Sequence, residues 1–435
     1  MTNPHSSKQL VIIGNGMAAN RVLEQLGIDH PFDAIHVLSD EAIPHYNRIM
    51  LSPLLARETT LEAITPHNDL WYSQRNIQIH LNAAVKEIDT ANKHITTVAG
   101  EQYDYTALLI ATGSRSSIPP LPGLEQLPSN VLGFRTMTDV DAMLESVGNI
   151  KHATVVGAGL LGVEAAVGLK SQGIEVTLMH RNPVLMNRQL DATASGILER
   201  ELESRGIEVR TGVNPTNIQS NAEQANAIDY ENRADGSLHT LATDLIVFAT
   251  GIIPNADEAK VAGLDVNRGI LVNSRMHASE PNVYSLGECC EFEGSTYGLV
   301  APIWEQAKTL AHELRRYKHF DSNPEALDHQ NWDADHQPQH YCEQDHLTKL
   351  KVSGVDMHSM GRYEPVEGDE VMQLQDLEIG VYKKLVINNN RIVGVLCVGD
   401  VMDSGWYFDL LCQQADISAM RTNILFGKAW CEDVA

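Results

Sequence analysis

Two glycine-rich turns, about 140 residues apart, constrain the fold of this chain more than any other feature. Each turn follows a short apolar run, which is typical of a buried parallel strand, and precedes a stretch with helical periodicity. The first runs from Leu10-Val11-Ile12-Ile13 into Gly14-Asn15-Gly16-Met17-Ala18-Ala19, and the second from Ala153-Thr154-Val155-Val156 into Gly157-Ala158-Gly159-Leu160-Leu161-Gly162. One such turn can arise by chance. Two in the same strand–turn–helix context predict two dinucleotide-binding units.

Each residue type in the first turn has a physical task in such a unit. Gly14 allows the tight turn, Gly16 lets the backbone approach a pyrophosphate, and Ala19 keeps the helix close to the sheet. The N-terminus of the helix then offers unpaired N–H groups and a positive dipole end to phosphate. The turn is therefore predicted to bind the pyrophosphate of a dinucleotide.

The residues that follow the second strand of each unit predict how the ribose is bound. In the first unit, Ile35–Leu38 is followed by Asp40 and Glu41, and an acid there can bind a ribose hydroxyl; Asp40 is the first candidate and Glu41 the second. In the second unit, Glu175–Met179 is followed by His180-Arg181. An arginine can pair with a 2′-phosphate that an acid would repel, which favours NADPH over NADH. The alternative is that Arg181 is a surface residue and His180 a spacer.

Charge and hydropathy narrow the possible partners. The 435 residues include 32 Lys and Arg against 57 Asp and Glu, a formal charge of −25, which disfavours nucleic acid and anionic membranes. No run of about 18 apolar residues is present, and Leu10–Ile13 is too short for the core of a signal peptide. We therefore expect a cytoplasmic protein without a membrane span.

Cysteine and histidine spacing gives no metal or disulfide signature. None of the six cysteines forms a C-x-x-C pair, which argues against a zinc ribbon, a redox pair or an iron–sulfur cluster. Residues 320–346 contain no Lys or Arg and are predicted to be a solvated acidic linker. Potential metal ligands within it match no recognised spacing: His329, His336, His340, Cys342 and His346.

Further stretches resemble the FAD/NAD(P)-dependent pyridine-nucleotide oxidoreductases: Leu108–Ser114 with Ala-Thr-Gly, Asp244–Gly251 with a second Ala-Thr-Gly, and Asn282–Glu288. The resemblance implies an α/β fold with two Rossmann-like dinucleotide-binding domains, glutathione-reductase-like, plus a small C-terminal α/β domain. The expected FAD-binding domain is discontinuous, 8–115 and 245–319. The NAD(P)H-binding domain is 116–244, and the C-terminal domain is 347–435.

A closer resemblance is to the flavin-containing N-terminal region of NAD(P)H nitrite reductase large subunits and to the electron-transfer subunit of assimilatory nitrate reductase. The matching stretches are Tyr46-Asn47-Arg48-Ile49-Met50-Leu51-Ser52, Leu185–Asp191, Gly287-Glu288-Cys289, Lys349–Asp356, Tyr382-Lys383-Lys384-Leu385 and Val398-Gly399-Asp400. This resemblance implies hydride transfer from NADPH or NADH to FAD, then electron transfer to a redox protein, a nitrate or nitrite reductase. The large subunits continue into iron–sulfur and siroheme domains. This sequence stops at Ala435, so we expect an electron-input module.

The resemblance also indicates which residues serve the cofactors. Glu164 is expected near the nicotinamide, or else is a helix-surface glutamate, and the planar fork of Arg48 suits the FAD pyrophosphate, or else is solvated. Trp304 and Glu305 are expected to begin a helix after Pro302 that points at the flavin, although Trp304 can equally be a packing residue. The full set of expected cofactor-binding residues is Gly14, Gly16, Met17, Ala18, Ala19, Asp40, Glu41, Arg48, Val85, Ala111, Thr112, Gly113, Gly157, Gly159, Leu160, Leu161, Gly162, His180, Arg181, Thr250, Gly251, Gly287, Glu288, Trp304 and Glu305.

Two other functions stay open. One is a rubredoxin, ferredoxin or nitric-oxide-reductase reductase, against which stands Pro53, where those branches usually carry Lys. The other is a sensor or regulatory module that responds to FAD and NAD(P)H. The adjacent thiols of Cys289-Cys290 suggest a redox role, but Cys is also commonly buried.

Local patterns predict several smaller elements. Asp235-Gly236 predicts a hairpin turn, and Asn388-Asn389-Asn390 predicts another between the strands Ile379–Ile387 and Arg391–Val398. Trp406–Gln414 and Ile417–Leu425 are predicted to be short helices.

Overall fold

The computed structural model describes residues 7–221, 223–319, 338–343, 347–352 and 354–431. Its helices are α1 Met17–Leu26, α2 Leu51–Leu55, α3 Asp69–Ser73, α4 Met137–Ser146, α5 Leu160–Ser171, α6 Ala192–Ser204, α7 Asp257–Val261, α8 Val300–Leu314 and α9 Ser404–Cys412. Its strands are β1 Gln9–Ile13, β2 Ala34–Leu38, β3 Ile77–His80, β4 Val85–Asp89, β5 His94–Thr97, β6 Gln102–Asp104, β7 Ala107–Ile110, β8 Ser114–Ser116, β9 Val131–Gly133, β10 His152–Val156, β11 Glu175–His180, β12 Ile207–Thr211, β13 Val213–Ser220, β14 Ala225–Asn232, β15 Leu238–Ala242, β16 Leu245–Phe248, β17 Ile252–Pro254, β18 Ile270–Leu271, β19 Val283–Ser285, β20 Cys290–Phe292, β21 Ser295–Thr296, β22 Thr348–Val352, β23 Val355–Gly361, β24 Glu370–Asp376, β25 Val381–Asn388 and β26 Arg391–Val398.

The chain divides into two compact units, each built from three separate stretches of sequence. The first unit contains residues up to Met50, Thr59–Arg115 and Ile252–Gln344. The second contains Leu51–Glu58, Ser116–Gly251 and the residues from Asp345 onward.

The first unit is organised around a parallel sheet with strand order β19-β7-β1-β2-β3. Leu10 and Ile12 of β1 pack on one face of the sheet in a core that includes residues of α1 and α8, and Val11 and Ile13 pack on the other face. Because successive side chains of a strand point to opposite faces, a strand buried on both faces must be apolar throughout. This is the physical reason for the continuous apolar run before the first glycine turn.

The second unit contains a matching parallel sheet, with strand order β12-β11-β10-β16-β9. An antiparallel meander, β13-β14-β15, lies in the chain between β12 and β16 of this sheet. The C-terminal residues add an antiparallel sheet with order β22-β23-β26-β25-β24, which packs with α9 around its own apolar core.

Both predicted hairpins are confirmed. β14 and β15 pair antiparallel around a loop in which Gly236 has a φ of +71°. β25 and β26 pair antiparallel around Asn389 and Asn390, whose φ values are +49° and +55°. Asparagine tolerates this left-handed conformation, and the twist of such a two-residue turn matches that of the flanking strands.

Three predicted boundaries are wrong. Residues 245–248 form β16, which pairs with β10 and β9, so the return to the first unit begins at Ile252 instead of residue 245. Ile417–Leu425 is not a helix, because it consists of successive turns that end in the 3₁₀ segment Ile424–Phe426. Helix α8 starts at Val300, so Pro302 lies in its first turn, where a missing N–H costs nothing.

The predicted linker is described only at residues 338–343, and these are not simply solvated. Tyr341 is buried, its amide donates to the Ser274 carbonyl at 2.7 Å, and its ring packs against Phe292 and Tyr297. The rest of the linker lies outside the described residues, as do His329, His336 and His346. Within the part of the chain that the structure describes, no helix has the length and apolarity needed to cross a bilayer.

Candidate functional site

The first glycine turn, in the first unit, has the geometry that pyrophosphate binding requires. Gly14 has a φ of +102°, and a Cβ at this position would lie 2.2 Å from the carbonyl oxygen of Ala111, so only glycine can occupy it. Gly16 is the N-cap of α1, where no side chain caps the helix and no acid stands in the first turn. The N–H groups of Met17 and Ala18 therefore begin a helix that is open to an anion, and Ala19 behind them is fully buried.

A buried amide network supports this turn. Asn20 Nδ2 donates to Asn15 Oδ1 at 2.9 Å, and Tyr72 Oη donates to Asn20 Oδ1 at 3.3 Å. Asn15 Nδ2 is buried and has no hydrogen-bond partner among the described residues. A buried donor costs free energy unless it finds an acceptor. An unsatisfied donor within the glycine turn is consistent with a phosphate-bearing cofactor.

The two candidate ribose acids lie in different environments. Asp40 is exposed, whereas the Glu41 carboxylate accepts a hydrogen bond from Tyr46 Oη at 2.8 Å and forms an ion pair with Arg48. The Arg48 Nε atom lies 4.0 Å from the position of a Cβ on Gly16, so its guanidinium is beside the glycine turn. The geometry thus favours the second candidate, Glu41, and places the Arg48 guanidinium beside the glycine turn.

The first Ala-Thr-Gly segment follows β7 directly. The Ala111 amide donates to the Ile13 carbonyl at 2.8 Å, so this segment lies next to the glycine turn. Thr112 Oγ1 donates to the Asn255 carbonyl at 2.6 Å, and Asn255 Nδ2 donates back to the Thr112 carbonyl at 3.0 Å. Gly113 follows with a φ of +66°. Asn255 follows the second Ala-Thr-Gly segment, and this reciprocal pair gives it a structural task.

The Gly287-Glu288 segment approaches the start of α1. A Cβ on Gly287 would lie 2.9 Å from the Cβ of Ala18. The Gly287 amide donates to Gln306 Oε1 at 2.9 Å, and Ser114 Oγ donates to Glu288 Oε2 at 2.7 Å. Sequence reasoning missed Ser114 and Gln306, because their partners lie 174 and 19 positions away in the chain.

Three further predicted residues lie in more ordinary surroundings. Val85 begins β4, pairs with Thr97 and packs against the core of the first unit. Trp304 is partly buried, and the Arg21 guanidinium lies 5.3 Å from the centre of its ring. Glu305 forms an exposed ion pair with Lys308. Because α8 starts at Val300, Trp304 and Glu305 follow its first turn instead of beginning it, as the sequence had suggested.

The second glycine turn repeats the design in the second unit. Gly157 has a φ of +106°, and a Cβ there would lie 2.4 Å from the Ala249 carbonyl oxygen; a Cβ on Gly162 would lie 1.7 Å from the Gly157 carbonyl oxygen. Gly159 caps α5, with no capping side chain and no acid in the first turn. Leu160 and Leu161 are partly exposed at this end of α5, as Met17 and Ala18 are on α1. Thr250 and Gly251 follow β16 at the same edge of the sheet, and Gly251 has a φ of +124°.

His180 supports this turn as a neutral side chain. Its Nδ1 accepts a hydrogen bond from the Ala158 amide at 3.1 Å, which requires an unprotonated nitrogen. Burial lowers the pKa of His180, with the Arg181 charge lowering it further and the Asn187 hydrogen bond opposing the shift. Arg181 is exposed and lines a polar cavity of about 460 Å³.

Glu164 of α5 is largely buried and titrates near neutral pH. Burial raises its pKa to about 7, against the opposing effect of a hydrogen bond that Ser52 Oγ donates to Glu164 Oε2 at 2.5 Å. No other hydrogen bond to Glu164 exists within the described residues. A carboxyl group with this pKa can carry or release a proton under physiological conditions.

Cys289 and Cys290 are fully buried, and each thiol lies near backbone carbonyl oxygens. Burial raises the pKa of Cys290 well above its usual value, which disfavours the reactive thiolate. All six cysteines lie within the described residues, and no disulfide joins them. Searching the described residues finds no group of three or more His, Cys, Asp or Glu arranged to hold a metal ion.

Comparison with known proteins identifies the class to which this chain belongs. Residues 8–312 match the family model for pyridine nucleotide-disulphide oxidoreductases, and residues 347–415 match the rubredoxin NAD+ reductase C-terminal domain. The chain belongs to the pyridine nucleotide-disulphide oxidoreductase family. The resemblance seen in the sequence is thereby confirmed, and membership supports both FAD and NAD(P)H as cofactors.

Individual relatives within this family are similar to the chain over nearly its whole length. The chain is 37% identical to the assimilatory nitrate reductase electron transfer subunit of Bacillus subtilis over 422 residues, covering 96% of this chain and 51% of that protein. It is 38% identical to the nitrite reductase [NAD(P)H] of the same organism over 412 residues, covering 94% of this chain and 48% of that protein. The chain thus spans about half the length of these relatives.

Solved structures share the fold. A ferredoxin reductase for the CYP199A2 system from Rhodopseudomonas palustris superimposes with a TM-score of 0.81 at 21% identity, covering 98% of this chain and all of that one. Putidaredoxin reductase, in its covalent complex with putidaredoxin, gives a TM-score of 0.79 at 22% identity with the same coverage. The predicted α/β fold with two Rossmann-like sheets is confirmed.

Proposed function

We propose that this chain is an FAD-dependent NAD(P)H oxidoreductase that delivers electrons to a nitrate or nitrite reductase. The observation that carries the proposal is the pair of uncapped helices, α1 and α5, each starting from a glycine turn at the carboxyl edge of its own five-stranded parallel sheet. The turn before α1 suits FAD, and the turn before α5 suits NAD(P)H. The similarity to the two Bacillus subtilis proteins supports a nitrate or nitrite reductase as the electron acceptor.

In the first unit, the residues of the chain bind and orient FAD. The N–H groups at the start of α1, the unsatisfied Asn15 Nδ2 and the Arg48 guanidinium would hold its pyrophosphate, and Glu41 would hold its ribose. Arg48 would then share its guanidinium between Glu41 and the phosphate oxygens. The chemistry that FAD would supply here is acceptance of a hydride from NAD(P)H and transfer of the two electrons to the partner.

In the second unit, the α5 turn would hold the nucleotide, and Glu164 would orient its reactive end. Ser52 fixes Glu164 Oε2, which leaves Oε1 to receive the amino group of the nicotinamide carboxamide. Without a ligand, burial keeps the carboxyl largely protonated below pH 7. Glu164 acts by positioning the nicotinamide, since the hydride itself passes between the two cofactors.

The test is an anaerobic titration of the purified, FAD-loaded protein with NADPH and then NADH, followed by visible absorption. Stoichiometric bleaching of the flavin band by either nucleotide supports the dehydrogenase. The reduced protein is then mixed with a nitrate or siroheme nitrite reductase, with oxygen alone as control. Reoxidation that depends on the reductase supports the proposed partner, whereas equal turnover with oxygen contradicts it.

The match of residues 347–415 to the rubredoxin NAD+ reductase C-terminal domain favours one other candidate, a reductase of rubredoxin-like carriers. A nitric oxide reductase FlRd-NAD(+) reductase of Aliivibrio fischeri is 32% identical over 311 residues. Adding rubredoxin or flavorubredoxin to the same reoxidation assay distinguishes the two. Reoxidation by these carriers at rates above those of the nitrogen-oxide reductases would replace the first proposal.

A further inference from the structure

The second unit contains a polar cavity that the function described above leaves without an occupant. It has a volume of about 460 Å³ and is lined by His180, Arg181, Asn182, Asn187, Asn214 and Arg233. No carboxylate is among these lining residues. Because His180 is held neutral, the two guanidinium groups give the cavity its charge.

Arg233 reaches the cavity from an unexpected element. It follows β14, in the loop of the antiparallel meander, and does not belong to the parallel sheet. Its amide donates to the Gly212 carbonyl at 2.9 Å, and its guanidinium donates to the Arg181 carbonyl at 3.1 Å. These two bonds hold the Arg233 head group beside Arg181. Nothing in the spacing of the sequence links positions 181 and 233.

The side chains that line the cavity offer mainly hydrogen-bond donors. The Arg181 side chain makes no hydrogen bond or ion pair to any described residue. Asn182 Oδ1 accepts from the Val184 amide at 2.9 Å, and Asn187 Oδ1 accepts from His180 Nε2 at 3.3 Å, so these two contacts occupy the amide oxygens and leave the Nδ2 donors of both side chains for a ligand. Arg181 and Arg233 line the same cavity, and an anion bound there would offset the repulsion between their like charges. The arrangement therefore suits a small dianion.

The position of the cavity identifies that anion. It lies at the carboxyl end of β11, the second strand of the β10–α5–β11 unit, where the adenosine ribose of a dinucleotide on the α5 turn arrives. We propose that Arg233 is a specificity-determining residue that, together with Arg181, binds the 2′-phosphate of NADPH. The proposal rests on the NAD(P)H oxidoreductase function above and extends it by selecting the phosphorylated nucleotide.

The test uses two small probes that differ by one phosphate, 2′,5′-ADP and 5′-AMP, and measures their dissociation constants by calorimetry on the full chain. The wild type is expected to prefer 2′,5′-ADP. Arg233→Ala should weaken 2′,5′-ADP about tenfold, since a hydrogen bond to a charged group is lost, and leave 5′-AMP unchanged. Arg181→Ala should act in the same direction. Arg233→Lys should retain part of the preference, because the charge remains but the fork does not.

Lys151→Ala is the matched control. It removes one positive charge from the same unit at an exposed position before β10, at the opposite edge of the sheet, and should change neither constant. Equal weakening of both probes in Arg233→Ala, or no weakening of 2′,5′-ADP, overturns the proposal. The far-ultraviolet spectrum and FAD content of each variant verify folding.

The outcome is separable from that of the proposed function. If Arg233→Ala reduces only the 2′,5′-ADP affinity while NADH still bleaches the flavin, both proposals stand. If wild-type protein binds 2′,5′-ADP through Arg233 but neither nucleotide bleaches the flavin, the oxidoreductase proposal fails while the phosphate site stands. If NADPH and NADH bleach the flavin with equal affinity in wild type and in Arg233→Ala, the specificity role fails while the oxidoreductase stands.

Discussion

Burial determines the charge of single residues in the second unit more than sequence neighbours do. Glu164 and His180 were both singled out from their positions after the glycine turn and after β11. Their protonation could not be predicted, because it depends first on burial in the folded protein and then on distant partners: Ser52, which is 112 positions from Glu164 and opposes the raised pKa, and the Ala158 amide, which donates to His180. The same limit applies to Arg233, whose importance depends on a fold that brings a hairpin loop beside Arg181.

Glu164 predicts a pH dependence of stability. Its pKa is raised from 4.5 to about 7, so the folded state binds the proton more tightly, and the unfolding free energy falls as pH rises from about 4.5 to about 7. Glu164→Gln removes this loss. The variant should be more stable than wild type above pH 7, by on the order of 1–3 kcal/mol, and equal to it near pH 4. Urea melts of the ligand-free protein at several pH values measure the difference; identical pH profiles would rule the raised pKa out.

At the scale of elements, apolar pattern and glycine chemistry predicted the parallel strands and both glycine turns well. The same patterns gave a wrong prediction for one C-terminal segment, where residues spaced as in a helix are buried although the segment is not helical. Ile417 and Ile424 are both fully buried, at a spacing of seven that also suits a helix, yet the chain between them forms successive turns. Periodicity shows which residues face the core, and a short segment can face the core without being helical.

In the second glycine turn, one substitution should mainly reduce stability and another should mainly reduce nucleotide binding. Gly157→Ala adds a Cβ that overlaps the Ala249 carbonyl at a φ of +106°, so it should destabilise the protein by about 2 kcal/mol or more. Gly159→Ala meets nothing within 4 Å at a φ of −77°, so its loss of stability should be limited to the weaker N-cap propensity of alanine, on the order of 1 kcal/mol or less. We expect Gly159→Ala to weaken NAD(P)H several-fold, because the added methyl group would stand where the backbone must approach the pyrophosphate. Unchanged nucleotide affinity would remove Gly159 from the site.

A buried ion pair joins α6 to the C-terminal sheet within the second unit. Asp191 caps α6 at the Ala194 amide, and its Oδ2 accepts from Tyr382 Oη and Lys384 Nζ, both at 2.8 Å. Burial alone would raise the pKa of Asp191, but these partners, led by Lys384, lower it overall. The stability that it contributes is therefore present above pH 4 and is lost as pH falls through the depressed pKa.

Removing one partner of this pair should be costly. Lys384→Met leaves the Asp191 carboxylate buried with two neutral donors, Tyr382 Oη and the Ala194 amide, and no compensating charge, so it should destabilise the protein by about 3–5 kcal/mol. The double variant Asp191→Asn/Lys384→Met should recover most of that loss, because no uncompensated charge remains and asparagine still caps the helix. Denaturant melts of the two single variants and the double variant complete the cycle. Additive losses would show that the two side chains are not coupled.

At the scale of the whole molecule, the family and the two sheets were predicted correctly because both rest on local patterns that occur twice. The division into units was predicted less well. Residues 51–58 group with the second unit, although nothing in their composition separates them from the preceding residues. Such a boundary depends on where a segment packs, which local sequence does not record.

Thiol accessibility tests which cysteines are buried in the two units of the folded protein. Cys342 and Cys412 are exposed, and the other four cysteines are buried. A chromogenic thiol reagent should label two cysteines rapidly in the native protein and six in denaturant. Flavin reduction by NAD(P)H should survive alkylation of the two exposed thiols, since the proposed hydride path involves no cysteine. Rapid native labelling of Cys289 or Cys290, identified by peptide mapping, would reopen a redox role for that pair.

The interleaved chain path affects how the protein is made. The parallel sheet of the first unit is complete only when β19 pairs with β7, after residue 285 has left the ribosome, and its helix α8 ends at residue 314. The parallel sheet of the second unit needs nothing beyond β16, which ends at residue 248. Of the two parallel sheets, the one that starts first in the chain therefore finishes last. Until then, the nascent N-terminal strands expose an unpaired edge to the cell, where chaperones or early FAD capture would protect them.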